Sequence, residues 1–309
     1  MNIKKYAAID IGSNGVRILI SNILLNNGNP PIFRKSSLVR VPIRLGADTF
    51  GDGVISPQNI TRMTDAMQAY KLLMNVHGVE KYRAFATSAM RGADNSAEVI
   101  EHIKNKTGIT IEIIDGKTEA EIISSSDFFH VLDPKKNYLF VDVGGGSTEF
   151  TLIKNGKKID SKSFKMGTVR LLDKNYDISK MWEEAKQWVK KATKDCNKVT
   201  LIGSGGNIVR VYKMGNSGIG KPISLDYLKE KYKLITGMTY DERMVNLGFN
   251  PDRADVIIPA LEIFMATMKW ANAKKILVPK FGLADGMIKA MFYDNHPEYA
   301  LSKEKVNRS

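Results

Sequence analysis

The chain has 309 residues, of which 43% are hydrophobic and 26% charged, so it reads as an ordinary globular protein and not as a disordered one. Its length predicts about two domains, and no run reaches the ~18 uninterrupted apolar residues of a membrane span, since the greasiest segment, Val256 to Ala271, is broken by Glu262 and Lys269. Lys and Arg number 46 against 33 Asp and Glu, a net of +13.

That excess is uneven. Residues 1–125 hold 15 basic and 12 acidic residues, a net of +3, and the remainder holds 31 and 21, a net of +10. A basic lobe attracts polyanions, nucleic acid or a phosphate polymer among them; a solvated basic surface is the plainer explanation, and charge alone does not choose. Cys196 is the single cysteine, which excludes an intrachain disulfide and a cysteine zinc site. The N-terminus MNIKKYAAIDIG runs straight into a strand pattern without a signal-peptide core, so the cytoplasm is the expected compartment.

In chain order, residues 7–20, AAIDIGSNGVRILI, read as strand, turn, strand. Ser56 to Val76 is helical, with Ile60, Met63, Met67, Tyr70 and Leu73–Met74 on one stripe. Tyr82 to Thr87 is a strand, Asn95 to Asn105 a helix ending before Gly108, and Thr110 to Ile114 a strand. Thr118 to His130 is predicted as a helix with Thr118 at the N-cap and Glu121 completing a capping box, which leaves Glu119 at the first helical position without that structural job. Residues 139–152, LFVDVGGGSTEFTL, repeat the strand–turn–strand pattern. Met181 to Ala192 is helical and carries Trp182 and Trp188, Val199 to Ile202 is a strand ending in GSGGN, Val256 to Ala271 is a long helix and Lys275 to Pro279 a strand. The alternation predicts an α/β protein of two lobes, 1–124 and 125–309, with the final helix free to pack back on the first lobe.

The repeat is the most informative feature. Asp10 aligns with Asp142, Gly12 with Gly144 and Arg17 with Glu149, all at an offset of 132. Gly12, Ser13 and Asn14 in one turn, and Gly144, Gly145, Gly146, Ser147 and Thr148 in the other, offer backbone N–H groups and hydroxyls, a way to cradle phosphate with little side-chain bulk. Neither turn matches GxxxxGK[ST] or GxGxxG. Asp142 and Glu149 flank the second turn and suit Mg²⁺, which takes one or two carboxylates; Asp10 could do the same or orient a water, and each has the plainer reading of a turn-capping carboxylate. Arg91, in ATSAMRGADN, and Arg17 are candidate phosphate forks. Glu119 is a candidate general base, although a helix start favours its ionised form. His77, His102, His130 and His296 show no metal or triad spacing, Cys196 reads as a partly buried helix residue, and the Trp and Met stripes read as core.

With these residues in place the sequence resembles the exopolyphosphatase/guanosine pentaphosphate phosphohydrolase (Ppx/GppA) family. The blocks that carry the resemblance are AAIDIGSNGVRILI, FATSAMRGADN, IIDGKTEAEII, LFVDVGGGSTEF, FKMGTVRL, LIGSGGNI, RADVIIPALEIF and GLADGMI, in family order from residue 7 to 288. The resemblance implies two ribonuclease-H-like lobes of the actin, Hsp70 and sugar-kinase type with the active site in the cleft between them. It implies Mg²⁺-dependent (or Mn²⁺-dependent) hydrolysis of a terminal phosphoanhydride in polyphosphate or guanosine pentaphosphate, by a homodimer. On matching positions Glu119 resembles the glutamate that activates water, Asp142 and Glu149 the acidic pair at the metal, Arg91 the phosphate clamp, and the two turns the phosphate-binding loops.

The sequence departs from the family pattern at Gly15, where a Ser or Thr is common, at Lys117 and Thr118, where acidic residues are usual, and at Asn207, where a Thr is common. It also ends at Ser309, without the C-terminal helical domain of long members, so short polyphosphate is the expected substrate. The competing readings are a kinase of the same superfamily, a polyphosphate- or alarmone-binding protein that has lost catalysis, and a nucleic-acid binder; the last rests on charge alone and has no recognition motif.

Overall fold

The computed structural model describes residues 2–26, 29–124, 132–173, 176–215, 220–279 and 281–299. By contacts the chain divides into two units, the described residues of 1–126 with those of 281–309, and those of 127–280.

In the first unit β1 (Asn2–Ile11), β2 (Val16–Leu25) and β3 (Ile32–Val41) form an antiparallel meander. Then come α1 (Leu45–Gly51), α2 (Pro57–His77), β4 (Lys81–Ala86), α3 (Ser88–Gly92), α4 (Ser96–Thr107), β5 (Glu112–Ile113) and α5 (Gly116–Ser124). β4 lies parallel to β1, and β5 parallel to β4, giving the sheet order β3-β2-β1-β4-β5. The second unit repeats the plan. β6 (Asn137–Val143), β7 (Thr148–Lys154) and β8 (Lys157–Phe164) form the meander, and after α6 (Ser179–Thr193) the strand β9 (Val199–Ser204) runs parallel to β6. α7 (Gly206–Lys213), β10 (Ile223–Ser224), α8 (Leu225–Thr236), α9 (Tyr240–Leu247), α10 (Pro251–Ala254), α11 (Ile257–Trp270) and β11 (Lys275–Leu277) complete it, and the sheet order is β10-β11-β9-β6-β7-β8. The last helix, α12 (Leu283–Asn295), packs on β1 and α5 of the first unit. Each unit is thus a ribonuclease-H-like sheet of the actin type, the fold class that the sequence implied.

The central strands explain themselves by composition. The Tyr6–Ile11 stretch of β1 is buried throughout, as expected of a strand covered on both faces, whereas the edge strand β3 has no buried residue and carries Arg34, Lys35, Ser36, Ser37 and Arg40. α2 starts where Ser56 accepts the Asn59 N–H at 3.3 Å with Pro57 next in line, and stops at Gly78, which takes the left-handed conformation. Its buried stripe is Met63, Met67, Tyr70 and Met74, and the Tyr70 hydroxyl donates to the Val16 carbonyl at 3.0 Å. Burial pushes the Tyr70 phenol up to about 12, so it remains a donor at every physiological pH. Glu262, which breaks the apolar run but not the helix α11, accepts the Tyr232 hydroxyl at 2.7 Å.

One sequence expectation is corrected. α5 begins at Gly116, earlier than Thr118, and the Thr118 N–H donates to the Asp115 carboxylate at 2.7 Å. Asp115 therefore does the capping that Thr118 and Glu121 were expected to share, because a carboxylate is the stronger acceptor for a first-turn N–H. Glu119 consequently lies at the fourth helical position, its N–H bonded to the Asp115 carbonyl at 3.0 Å. The expected extension of this helix to His130 falls outside the described residues.

Asp48 knots the start of α2 to α1. Its Oδ2 accepts from the Ser56 N–H at 2.9 Å, the Ser56 hydroxyl at 2.6 Å and the Asn59 amide at 2.8 Å, and these donors outweigh burial and hold the carboxyl below its usual range. Such a group stabilises the fold above its unfolded pKa of 3.8 and loses that contribution as pH falls through its lower folded value. Asp48→Ala is therefore expected to lower the unfolding free energy by about 1–3 kcal/mol at pH 7. In urea titrations at several pH values, the difference from wild type should shrink below pH 4; a constant difference down to pH 2 would contradict this.

Candidate active site

The two turns flagged by the sequence are closed in the same way. In the first, the Gly12 N–H donates to the Gly15 carbonyl at 3.2 Å; in the second, the Gly144 N–H donates to the Ser147 carbonyl at 3.0 Å. Each turn joins antiparallel strands in which the marked acidic residue faces its partner in direct register, Asp10 opposite Arg17 and Asp142 opposite Glu149.

In the first unit Asp10 is buried at 4% exposure, and Arg17 Nε lies 2.9 Å from its Oδ2 as an ion pair, without the alignment of a hydrogen bond. Burial raises the Asp10 carboxyl above its usual range, and the charges of Arg17 and then Arg40 oppose that rise. Ser13 is buried, its hydroxyl 2.9 Å from that of Ser88, and its carbonyl accepts the Gly46 N–H at 2.8 Å. Two arginines grip Asn14. Arg40 Nη2 donates to its carbonyl at 3.2 Å and Arg44 Nε to its Oδ1 at 3.1 Å. Arg91 is exposed on α3 and anchored by donation to the Ile114 carbonyl, just before α5. Thus Gly12, Ser13, Asn14, Arg17 and Asp10 form one connected group, while Arg91 belongs with the approach to Glu119. Glu119 is half-buried in the first half of α5.

In the second unit Glu149 is buried at 2% exposure, and its Oε1 accepts the Ser147 hydroxyl at 2.6 Å and the Ser163 hydroxyl at 2.9 Å. Asp142 is half-buried at the strand end beside it. Thr148 is fully buried and donates to the Met166 carbonyl, so its hydroxyl serves the fold. The segment after β8 wraps under the loop. The Thr168 N–H donates to the Gly144 carbonyl at 2.9 Å, the Val169 N–H to that of Gly145 at 2.8 Å, and Arg170 Nε to that of Gly146 at 3.1 Å. With these carbonyls drawn downward, the peptides of 144–146 are held in one conformation. Gly167 makes the approach close enough, since a Cβ there would lie 2.3 Å from Gly146 C and 2.4 Å from Gly145 C and O. Gly205, at φ +109°, lets the GSGGN turn pass the Val143 carbonyl, which an added Cβ would meet at 2.7 Å.

Arg40, Arg44, Ser88, Ser163, Gly167 and Arg170 escaped the sequence reading. FKMGTVRL was a signal for Gly167 and Arg170, but Arg40 and Ser163 become visible only through strand register. Cys196 is partly buried as expected, yet it lies in the turn beyond α6. Trp182 and Trp188 pack against the core of the second unit. His296 stacks on Phe292 and pairs with Glu298 at 3.1 Å, and His130 lies outside the described residues.

Two ribonuclease-H-like units, each with a glycine-containing turn between strands and an acidic residue at the strand end, give the chain an actin-like fold. A family model described as the Ppx/GppA phosphatase family matches residues 30–294, and the chain belongs to that family. Exopolyphosphatase 2 of Mycobacterium tuberculosis is 26% identical over 319 residues, 93% of this chain and 98% of that protein. A bifunctional 3-dehydroquinate synthase/phosphatase of Fusobacterium nucleatum is 30% identical over 299 residues, 88% of this chain but 44% of that protein, so the chain spans less than half of that relative. A guanosine-5'-triphosphate,3'-diphosphate pyrophosphatase of Aliivibrio fischeri is 26% identical, over 94% of this chain and 60% of that protein. Among solved structures, an exopolyphosphatase from Cytophaga hutchinsonii superposes with a TM-score of 0.79 at 23% identity, covering 93% of this chain and 97% of that one. Among the described residues no helix is long and apolar enough to cross a membrane.

The closeness at Gly167 yields a direct test. Gly167→Ala must push the 144–146 loop aside, and is expected to lower the melting temperature by several degrees, the order for a loss of ~1–3 kcal/mol. It should also weaken binding of tripolyphosphate in calorimetry; a variant that melts and binds like wild type would show that the loop does not depend on this contact.

Proposed function

We propose that the protein is an exopolyphosphatase that hydrolyses the terminal phosphoanhydride of inorganic polyphosphate, short chains in particular. The observation that carries this reading is the acidic pair Asp142 and Glu149, in register across the mouth of a backbone loop tied down by the 167–170 segment, in a chain of the Ppx/GppA phosphatase family. Support for the substrate comes from relatives named exopolyphosphatase. A guanosine pentaphosphate hydrolase is the second reading, favoured by the relative from Aliivibrio fischeri.

Asp142 and Glu149 are hard oxygen donors with glycine peptides beside them, a donor set that fits Mg²⁺ or Mn²⁺. Ser147 and Ser163 orient the Glu149 carboxylate by donating to one of its oxygens. A divalent ion held by Asp142 and Glu149 would supply charge neutralisation at the phosphate oxygens. The rest is the work of the chain. The amides of the 12–14 and 144–147 turns bind phosphate oxygens, which requires no side-chain reorganisation during reaction. Arg17 and Arg91 add guanidinium forks, and Asp10 keeps Arg17 in place through the ion pair. Glu119 takes a proton from the water that attacks the end phosphate in line, and positioning with charge neutralisation supplies most of the rate. The basic excess of residues 126–309 holds the remainder of the polyanion. A homodimer in the cytoplasm completes the proposal.

The test is phosphate release with Mg²⁺ from short polyphosphate, long polyphosphate and guanosine pentaphosphate in parallel. Glu119→Gln is expected to reduce turnover on the best substrate by ~10²–10⁴-fold while tripolyphosphate binding persists; a variant that keeps most of its activity removes Glu119 from the role of base. EDTA should abolish release, and added Mg²⁺ or Mn²⁺ should restore it. KM should rise with salt, since exposed charges are screened beyond about 10 Å at 0.1 M. No release from any of the three, with tight binding retained, would instead establish a binding protein.

A further inference from the structure

The two turns are homologous in position and opposite in charge. Glu149 is followed across its sheet by Ser163, so the row over three strands is Asp142, Glu149, Ser163. In the first unit the matching row is Asp10, Arg17, Arg40. The residue matching Ser147 is Gly15, and Ser147 is the residue whose hydroxyl orients Glu149. A side chain at 15 and the present placement of Arg40 exclude each other. A Cβ there would lie 2.7 Å from Arg40 Nη2 and 2.9 Å from Arg40 Cζ. The guanidinium of Arg40 thus occupies the volume of the missing side chain, and from there it donates to the Asn14 carbonyl.

We propose that Gly15 and Arg40 work as a pair, in which the absent side chain admits the guanidinium and Arg40 becomes a phosphate-positioning residue of the first turn. It fixes the Asn14 peptide, and with Arg17 beside it makes this turn an anion subsite, where the equivalent row of the second unit is built for a cation. Arginine suits the place because its planar fork can satisfy a carbonyl and an anion from one fixed geometry, which a hydroxyl at 15 cannot do. The inference rests on the phosphohydrolase reading for the identity of the anion, but the binding site it describes is open to test without turnover.

The experiment measures tripolyphosphate binding by calorimetry in the Glu119→Gln background, and KM and kcat in the otherwise wild-type chain, for Arg40→Ala, Arg40→Met, Arg40→Lys, Gly15→Ser and Gly15→Ser with Arg40→Ala. Removing the guanidinium should weaken binding roughly tenfold to hundredfold, the loss of one charge-assisted hydrogen bond, and raise KM more than it lowers kcat. Arg40→Lys should recover part of the affinity. Gly15→Ser should act by displacing the flexible end of Arg40, so the double variant should bind within about twofold of the weaker single one. Arg40→Met keeps the aliphatic stem, and thermal melting shows that each variant is folded, so a binding loss in Arg40→Met with an unchanged melting temperature supports a role beyond packing. Unchanged binding and KM in Arg40→Ala, or losses that add in the double variant, overturn the proposal. If the wild-type chain releases no phosphate from any substrate, the phosphohydrolase reading fails, while tripolyphosphate binding still decides for or against Arg40; a wild-type chain that binds no tripolyphosphate overturns both.

Discussion

A reversal of chain direction within a few residues, at the end of a buried strand, needs a backbone that can turn tightly and still satisfy its own polar groups. Here both central hairpins meet that need with one hydrogen bond, from the N–H of Gly12 or Gly144 to the carbonyl three residues on. Around the second turn the demand is stricter, because the 167–170 segment bonds to the carbonyls of 144, 145 and 146 from below, at a distance that only Gly167 permits. Buried peptide groups must be paired. Pairing of these carbonyls by the 168–170 segment satisfies the loop's acceptors within the chain. Strand register aligns Asp142, Glu149 and Ser163 beside this loop, and Ser147 reaches Glu149 from it.

The same architecture is then used twice with different chemistry. A three-strand meander followed by a parallel strand gives each unit its sheet order, and each strand–turn–strand places corresponding residues in one row. In one unit the row carries two carboxylates and a hydroxyl, and in the other a carboxylate and two guanidiniums. Substitution on a fixed scaffold thus changes the sign of the charge along the row without altering the turn. The buried carboxyl of Asp10 marks what this costs, since desolvation raises its pKa and only the adjacent arginines favour its ionised form.

Long-range contacts within the first unit hold α5, the helix that carries Glu119. Asp115 caps its start, Arg91 reaches the Ile114 carbonyl, and α12 returns from the far end of the chain to lie against it. At Gly286 the approach is so close that a Cβ would meet the Ile122 carbonyl at 2.3 Å. The GLADGMI block, whose place in the chemistry was not evident from its residues, is therefore a packing element for that helix.

Much of this was legible in the sequence because periodicity and glycine placement are local. The α2 stripe within Ser56 to Val76, the two hairpins with their acidic strand ends, and the alternation of helix and strand all follow from side-chain spacing and turn chemistry. The capping of α5 was misread because Thr118 and Asp115 are both competent N-caps, and only the helix start chooses between them. β10 holds two residues, too few to carry a period, whereas the strand expected over Thr110 to Ile114 is present but shortened to Glu112–Ile113. What the sequence determined alone was the repeat, the two-lobed α/β alternation and the residues that line the turns, while the ribonuclease-H-like class came from the family resemblance. What only the tertiary structure decided was which distant side chains reach those turns: Ser163 at Glu149, Arg40 at Gly15, Ser88 at Ser13, and Gly167 under the second loop. Strand register and the approach of separate segments fix those contacts, and neither quantity is written in the spacing of residues along one stretch of chain.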